Sequence, residues 1–169
     1  MSRVVPDSVR RGIESTHAAD VLLAFVTIEH ENLNEPIRVV NDVVDYVLDG
    51  ETYIGVLFGF KLMPDGEGIP STDIVIPNID RRIGLSLRPV SGRATVSLDI
   101  YSSVDFDLSV DPRQARGTPT RIYGWTNFEL VEVENTESEV TGKLILRDAS
   151  QEQWPGISAT QSRVPGSYR

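Results

Sequence analysis

The tightest constraint on the fold of this chain is a pair of residues, Asp49-Gly50, that lies between two strand-like runs. Glycine adopts a positive φ at little cost, and Asp-Gly is a preferred two-residue loop of β-hairpins. We therefore predict a hairpin in which a strand at 46–48 turns into a strand over 52–60. Tyr53 is expected to pack across the paired strands.

A long apolar segment gives the second indication of a β fold. The run over 20–30 is apolar almost throughout, which predicts a strand covered on both faces, as in the centre of a barrel or sandwich. Other strand-like segments are shorter or only half apolar. They lie at 37–41, 73–76, 125–134 and 139–147, and the last two are joined by the turn 135–138.

Two neighbouring segments, 93–102 and 104–111, alternate between apolar and polar residues, as expected of strands with one buried face. In the first, the predicted inner residues are Val96, Leu98 and Ile100, and the predicted outer residues are Ser97, Asp99 and Tyr101. In the second, one face is predicted to carry Val104, Phe106, Leu108 and Val110.

Helical patterns are short. Pro6 suits a first helical turn and Val9 and Ile13 repeat four residues apart, which predicts a helix over 6–17. A second short helix is predicted to begin at the capping residue Asn78. The residues expected to share a face of that helix are Ile79, Ile83 and Leu87.

Loops and an arm complete the predicted organisation. The segments 64–71 and 111–121 are rich in residues that favour turns, and the residues after 148 show no period. We therefore predict a mainly β fold, a β-barrel or sandwich with one or two short helices, over residues 1–148. An extended carboxy-terminal arm is expected over 149–169.

The composition excludes several classes of function. The 169 residues include no cysteine, which excludes disulfides, thiolate metal sites and iron–sulfur clusters. A net charge of −9 argues against tight binding of nucleic acid, although an acidic surface suits a channel through which DNA slides without specific binding. No apolar run is long enough to predict membrane insertion, and the first residues do not resemble a signal peptide.

We find no residue pattern that predicts catalysis. His17 and His30 lack the spacing of metal ligands, and no nucleophile elbow or phosphate-binding loop is present. Three carboxylates, Asp105, Asp107 and Asp111, are predicted to lie with Ser109 along a strand, which cannot curl around a calcium ion. The sequence therefore predicts a protein that is not an enzyme and has no cofactor.

Three predicted projections favour assembly with other protein chains. The loop 111–121 is basic in an acidic protein, so its arginines can bind the acidic face of a neighbouring copy, although a solvated connection is the alternative. The loop 60–72 and the carboxy-terminal arm are the other two projections. The residues predicted at an assembly interface are Arg113, Arg116, Arg121, Asp65, Glu67, Trp154, Pro155 and Tyr168.

The order of these features resembles a family of siphophage tail proteins of formerly unknown function, and the amino-terminal hub part of the lambda-type minor tail protein L. The matching features are distributed over nearly the whole chain. They are the short first helix, the strand 24–30 with its Glu-His ending, the hairpin with Asp49-Gly50 and Tyr53, the segment around Asn78 and Asp80, and the endings Trp154-Pro155-Gly156 and Val164-Pro165-Gly166.

This resemblance implies a structural virion protein of the distal tail or tail tip, built on a tube-type β-barrel or sandwich. The protein would form a ring of three or six copies between the tail tube and the central hub or fibre, with DNA passing through the lumen. Assembly would take place in the cytoplasm of the bacterial host. The lambda-type proteins continue into a cysteine-ligated iron–sulfur domain, and this chain, which has no cysteine, departs from them there.

The alternative prediction is a monomeric β-sandwich that binds a carbohydrate on the host surface. Such a module presents exposed aromatic rings that stack on sugar rings. The candidate rings are Tyr101, Tyr123, Trp125 and Trp154.

Overall fold

The computed structural model describes residues 7–15, 20–60, 71–77, 93–146 and 163. Within these ranges the chain forms one α-helix, one 3-10 turn at Ser103–Asp105 and eleven strands that join in one sheet. The elements are α1 (Asp7–Glu14), β1 (Leu22–Glu29), β2 (Ile37–Val40), β3 (Tyr46–Leu48), β4 (Glu51–Gly55), β5 (Gly59–Phe60), β6 (Ser71–Pro77), β7 (Ala94–Ser102), β8 (Phe106–Asp107), β9 (Arg113–Ala115), β10 (Tyr123–Asn135) and β11 (Glu139–Leu146).

The eleven strands form one open sheet, and apolar cores lie on both faces of its strand β1. Its order is β5-β6-β11-β10-β7-β1-β2-β4-β3-β9-β8, so that within the described ranges the two outermost strands do not pair with each other. Most neighbours are antiparallel, whereas β2 with β4 and β3 with β9 are parallel. The prediction of a mainly β fold is confirmed, and the open sheet makes the fold sandwich-like rather than a closed barrel.

Strand β1 lies between two apolar cores, as the continuous apolar run 20–30 predicts. Ala24, Val26 and Ile28 face a core formed with β2, β6, β7, β10 and β11. Leu23 and Phe25 face the opposite way, into a smaller core that also contains residues from β2, β3, β7 and β8. Burial of both faces therefore explains why this strand carries no polar alternation.

The predicted hairpin is confirmed between β3 and β4. Its second strand was predicted over 52–60 but ends at Gly55, and residues 59–60 form β5, which pairs with β6. Asp49 has φ 53° and Gly50 has φ 82°, as a two-residue hairpin loop with two positive φ angles requires. Tyr46 pairs with Tyr53 across the strands. The ring of Tyr53 also lies 5.0 Å from the ring of Phe25, so this residue joins the hairpin to the smaller core.

The predicted strands at 73–76, 93–102, 125–134 and 139–147 are observed as β6, β7, β10 and β11. The first helix is also observed, as α1. Strand β10 has two register shifts against its neighbours, near Asn127 with φ 64° and near Glu132 with φ 53°. These bulges let one long strand follow the curvature of the sheet.

One residue of β7 was wrongly predicted. Tyr101 was expected on the solvent face, but it is only 8% exposed and packs edge-on against Phe25 at 5.4 Å. The alternation of β7 correctly places Tyr101 on the face opposite to that of Val96, Leu98 and Ile100. The error arose because a second layer of strands covers the other face of β7 at this point.

The predicted strand over 104–111 was also wrong. Ser102 accepts a hydrogen bond from the Val104 N–H and begins the 3-10 turn, and β8 then has only two residues. Asp107 accepts hydrogen bonds from the N–H and the hydroxyl of Ser109, which form a turn in place of a longer strand. Phe106 is buried, whereas the other three apolar residues of this segment, Val104, Leu108 and Val110, are exposed.

Three predictions lie outside the described residues: the helix that begins at Asn78, most of the loop 64–71, and the arm 149–169 apart from residue 163. The division into a domain over 1–148 and an arm stays a prediction. Among the described residues, no helix is long and apolar enough to cross a membrane.

Candidate assembly surface

The basic loop 111–121 is more ordered than a simple connection. It begins with a cis peptide bond between Asp111 and Pro112 and contains strand β9, which pairs with both β3 and β8. The backbone N–H of Arg113 donates to the carbonyl oxygen of Asp45 at 2.8 Å. The loop is therefore attached to the fold through its backbone before any side chain is considered.

Arg113 is part of a hydrogen-bonded group with Asp42 and Tyr46. Its Nη1 lies 2.7 Å from Asp42 Oδ2 and donates to the Tyr46 hydroxyl, which in turn donates to Asp42 Oδ2 at 2.6 Å. The guanidinium also lies 5.4 Å from the centre of the Tyr46 ring. Burial, together with the hydrogen bond to Asp42, raises the pKa of Tyr46 to about 12. Arg113 therefore holds the loop against β3 from within the fold.

Arg116 is more exposed and pairs with a turn residue. Its Nη2 lies 3.2 Å from Asp107 Oδ1, and its side chain is 62% exposed. Hydrogen bonds from the Ser109 hydroxyl and N–H, and then from Arg116, lower the pKa of Asp107 to about 2. The carboxylate is already stabilised by Ser109, so the Arg116 guanidinium can be shared with a second carboxylate at small cost.

Arg121 pairs with Asp99 on β7 at 3.3 Å, and its side chain is 54% exposed. Burial raises the pKa of Asp99, and the charge of Arg121 opposes that effect. Gly124 makes the pairing possible, because a Cβ at this position would lie 2.7 Å from Asp99 Oδ1 and 2.9 Å from Arg121 Cδ.

Each of the three predicted interface arginines has a carboxylate partner in the same chain. The side chains of Arg116 and Arg121 are more than half exposed, whereas that of Arg113 is largely enclosed. An assembly contact through this loop would consequently use Arg116 and Arg121. The other predicted interface residues, Asp65, Glu67, Trp154, Pro155 and Tyr168, lie outside the described residues.

The partners of these arginines were not predicted from the sequence. Asp42 and Tyr46 are 71 and 67 residues away from Arg113, and Asp99 is 22 residues away from Arg121. One feature of the sequence could have indicated the Arg121–Asp99 pair. Gly124 directly precedes the predicted strand over 125–134, and a glycine in a strand often marks a place where another group comes close to the backbone.

The aromatic residues proposed for carbohydrate binding are divided by the structure. Tyr101 is buried. Tyr123 and Trp125 stack on each other at 5.6 Å, and Trp125 also packs against the larger core. Trp154 lies outside the described residues. The described candidate rings therefore each pack against other protein groups.

No described group of histidine and carboxylate side chains has the arrangement of a metal site. The Nδ1 atom of His30 accepts the N–H of Asn32 at 3.1 Å, which holds the turn after β1. His17 lies outside the described ranges.

Comparison with known protein families identifies the family of this chain. The family model for a domain of unknown function, DUF1833, matches residues 8–158, most of the chain. The chain belongs to the DUF1833 family. No protein with a curated description matches its sequence.

Several chains of solved structures match this DUF1833 chain, and we describe one that shares its fold. It is a chain of the structure described as "Virion of native gene transfer agent (GTA) particle", with a TM-score of 0.57 and 16% sequence identity. The similarity covers 92% of this chain and 48% of the other, so this chain spans about half the length of the matched chain. At this identity the likeness shows the fold.

Proposed function

We propose that this DUF1833 protein is a structural protein of a virion, located in the distal tail or tail tip of a long-tailed phage or a phage-like particle. The observation that carries the proposal is the fold shared with a chain of a gene transfer agent virion over 92% of this protein. The family resemblance of the sequence supports the same location. We propose no enzymatic activity and no cofactor.

Within the tail, we propose a ring of three or six copies that joins the tail tube to the central hub or fibre. The net charge of −9 supports passage of DNA through the lumen, because carboxylates repel phosphate and prevent tight binding. Assembly in the bacterial cytoplasm follows from this role. A ring requires contacts between different faces of adjacent copies.

The proposed contact uses Arg116 and Arg121 against carboxylates of the next copy. Both side chains are more than half exposed while they are paired with carboxylates on their own chain. Arg113 is a poor probe of this contact, because its reversal to Glu would also leave Asp42 and Tyr46 without their partner and would destabilise the fold.

The test of location uses purified particles from a strain that encodes the protein. Antibody labelling in electron microscopy is expected at one end of the tail, and deletion of the gene is expected to yield particles without a complete tail tip. Complementation with the intact gene should restore the tip. Absence of the protein from purified particles, as measured by mass spectrometry, would contradict the proposal.

The test of the ring uses light scattering behind a sizing column. The expected mass is three or six times 18.7 kDa, and the Arg116→Glu/Arg121→Glu variant is expected to remain monomeric. The matched control is Arg10→Glu/Arg93→Glu, which makes the same change in charge at two other exposed, paired arginines. Equal assembly of both variants would exclude the arginine contact without affecting the proposed location.

A further inference from the structure

Exposed aliphatic side chains collect at the end of the molecule where β1 begins. Most solvent-facing aliphatic residues on a soluble protein are scattered, and contiguous groups mark interaction sites. Here the residues belong to five separate segments that the fold brings to the same end. We call them the apolar end: Val21, Val43, Leu57, Val104, Leu108 and Val110.

Strand pairing places the first two of these segments together. β1 begins where the antiparallel strand β7 ends, with Leu22 opposite Ser102. The N–H of Ser103 donates to the carbonyl oxygen of Val21 at 2.9 Å, and the N–H of Val21 donates to the Ser103 hydroxyl at 3.0 Å. Val21 is therefore bonded to the residue that precedes Val104, and both valines lie at this end of the molecule.

The segments that contain Val43 and Leu57 follow β2 and β4 at the same end. The N–H of Asn41 donates to the carbonyl oxygen of Ala24 near the start of β1. The Asn41 side chain then accepts the N–H of Phe58 at 3.2 Å, which draws the residues after β4 to the residues after β2.

The turn between β8 and β9 completes the apolar end. β9 runs parallel to β3, and the N–H of Arg113 donates to Asp45, in the loop that also carries Val43. Leu108 and Val110 in the preceding turn therefore lie at the end where the 41–45 loop lies. Exposure is high, at 71% for Val43 and 49% for Leu108, so these side chains contribute little to either core.

The charges around the apolar end indicate what can cover it. Seven aspartates lie in or next to the segments that form it, against three arginines, each of which is paired with one of these aspartates. The opposite end is also acidic, because the hairpin of β10 and β11 carries five glutamates between residues 129 and 139. The seven aspartates near the apolar end are Asp20, Asp42, Asp45, Asp99, Asp105, Asp107 and Asp111.

Two copies that met through their apolar ends, or through one apolar end and the hairpin of β10 and β11, would bring acidic surfaces together, which costs free energy through like-charge repulsion. A surface with apolar side chains surrounded by Lys and Arg would instead gain both apolar burial and favourable charge pairing. We propose that the apolar end docks such a basic partner protein, and that it is not the contact between copies of this chain.

The test is an NMR titration of the isotope-labelled full chain with two peptides. The probe is a helical peptide of Leu and Lys, and its control is a peptide of the same length and pattern with Glu in place of Lys. The Leu–Lys peptide is expected to shift the amide signals around residues 43, 57, 104 and 108. The Leu–Glu peptide is expected to bind at least tenfold more weakly.

Variants separate apolar docking from simple attraction to an acidic protein. Val43→Ser/Val104→Ser/Leu108→Ser is expected to weaken binding of the Leu–Lys peptide about tenfold or more. The control, Val75→Ser/Val133→Ser, changes exposed valines elsewhere and should bind like the unaltered chain. Circular dichroism before each titration establishes that the variants are folded.

Three results would overturn the proposal. The peptide could shift the hairpin signals at 129–139 instead, which would show attraction by charge alone. The signals of the apolar end could broaden with protein concentration in the absence of peptide, which would identify a second copy as the occupant. Contacts from another segment of the same chain, detected by nuclear Overhauser effects at the apolar end, would show that the surface is covered internally.

Discussion

At the scale of single residues, Gly55 leaves no room for a side chain beside the backbone of Val44. A Cβ at this position would lie 2.6 Å from the carbonyl oxygen of Val44, an atom that can move only with the chain. We expect Gly55→Ala to lower the free energy of unfolding by about 1–3 kcal/mol. The matched control is Gly59→Ala, because a Cβ at Gly59 meets nothing within 4 Å. Urea unfolding of the two variants measures the difference, and equal stabilities would contradict it.

Tyr46 is the second residue whose environment gives a quantitative expectation. Tyr46→Phe removes a hydroxyl that donates to Asp42 and accepts from Arg113, and is expected to cost about 1–3 kcal/mol of stability. Tyr101→Phe is the control, since Tyr101 has a buried ring but is not joined to Asp42 or Arg113. An equal loss in both variants would mean that the group around Tyr46 has no special role.

The same tyrosine predicts a pH dependence. In the folded protein the pKa of Tyr46 is raised to about 12, whereas in the unfolded chain a tyrosine ionises near pH 10. The stabilising contribution is therefore complete below pH 10 and is lost as the pH rises to about 12. Unfolding measured from pH 9 to 11.5 should show a steeper loss of stability in the unaltered protein than in Tyr46→Phe. Parallel curves would contradict the assigned pKa shift.

At the scale of elements, the bulge in β10 depends on the conformation of one residue. Asn127 has φ 64°, a conformation that asparagine tolerates and a β-branched residue does not. We expect Asn127→Val to lower stability by about 1–2 kcal/mol and Asn127→Gly to change it little. The neighbouring exposed substitution Thr126→Val is the control, because Thr126 has no positive φ. If Asn127→Val were neutral in thermal unfolding, the bulge would not depend on this residue.

The hairpin of β10 and β11 and the short strand β8 show which elements local sequence can specify. Hairpins with turn residues at their centres were predicted, because the turn and both strands are close in sequence. The segment 104–111 has the alternation of a strand, yet two side-chain hydrogen bonds divide it: Ser102 accepts from the Val104 N–H, and the Ser109 hydroxyl donates to Asp107. Local side-chain capping overcame the apolar pattern there.

At the scale of the whole molecule, β1 is shared by two cores, so the cores should unfold together. We expect Phe25→Leu, in the smaller core, to lower stability by about 1–3 kcal/mol and to shift a transition reported by Trp125 on the larger core by the same amount. The chain has two tryptophans, so the measurement uses fluorescence in a Trp154→Phe background, with far-ultraviolet circular dichroism as the second probe. Two separate transitions would show that the cores are independent.

The sequence by itself determined the elements whose signals are short-range or periodic. The apolar run of β1 and the alternation of β7 each predict a strand, and Asp49-Gly50 predicts a hairpin turn. The structure contains all three. The mainly β class follows from these preferences, because no long amphipathic helix competes with them. The basic character of the loop 111–121 was also visible, although the role of each arginine was not.

Only the tertiary structure decided which side chains meet across the layers. Tyr101 became a core residue because a second layer of strands covers β7, and Arg113 became internal because Asp42 and Tyr46 reach it from another part of the chain. The apolar end likewise joins segments that are up to about ninety residues apart, from Val21 to Val110. Periodicity reports which face of one strand is apolar, but the partner of that face depends on long-range pairing, which leaves no periodic signal in the sequence.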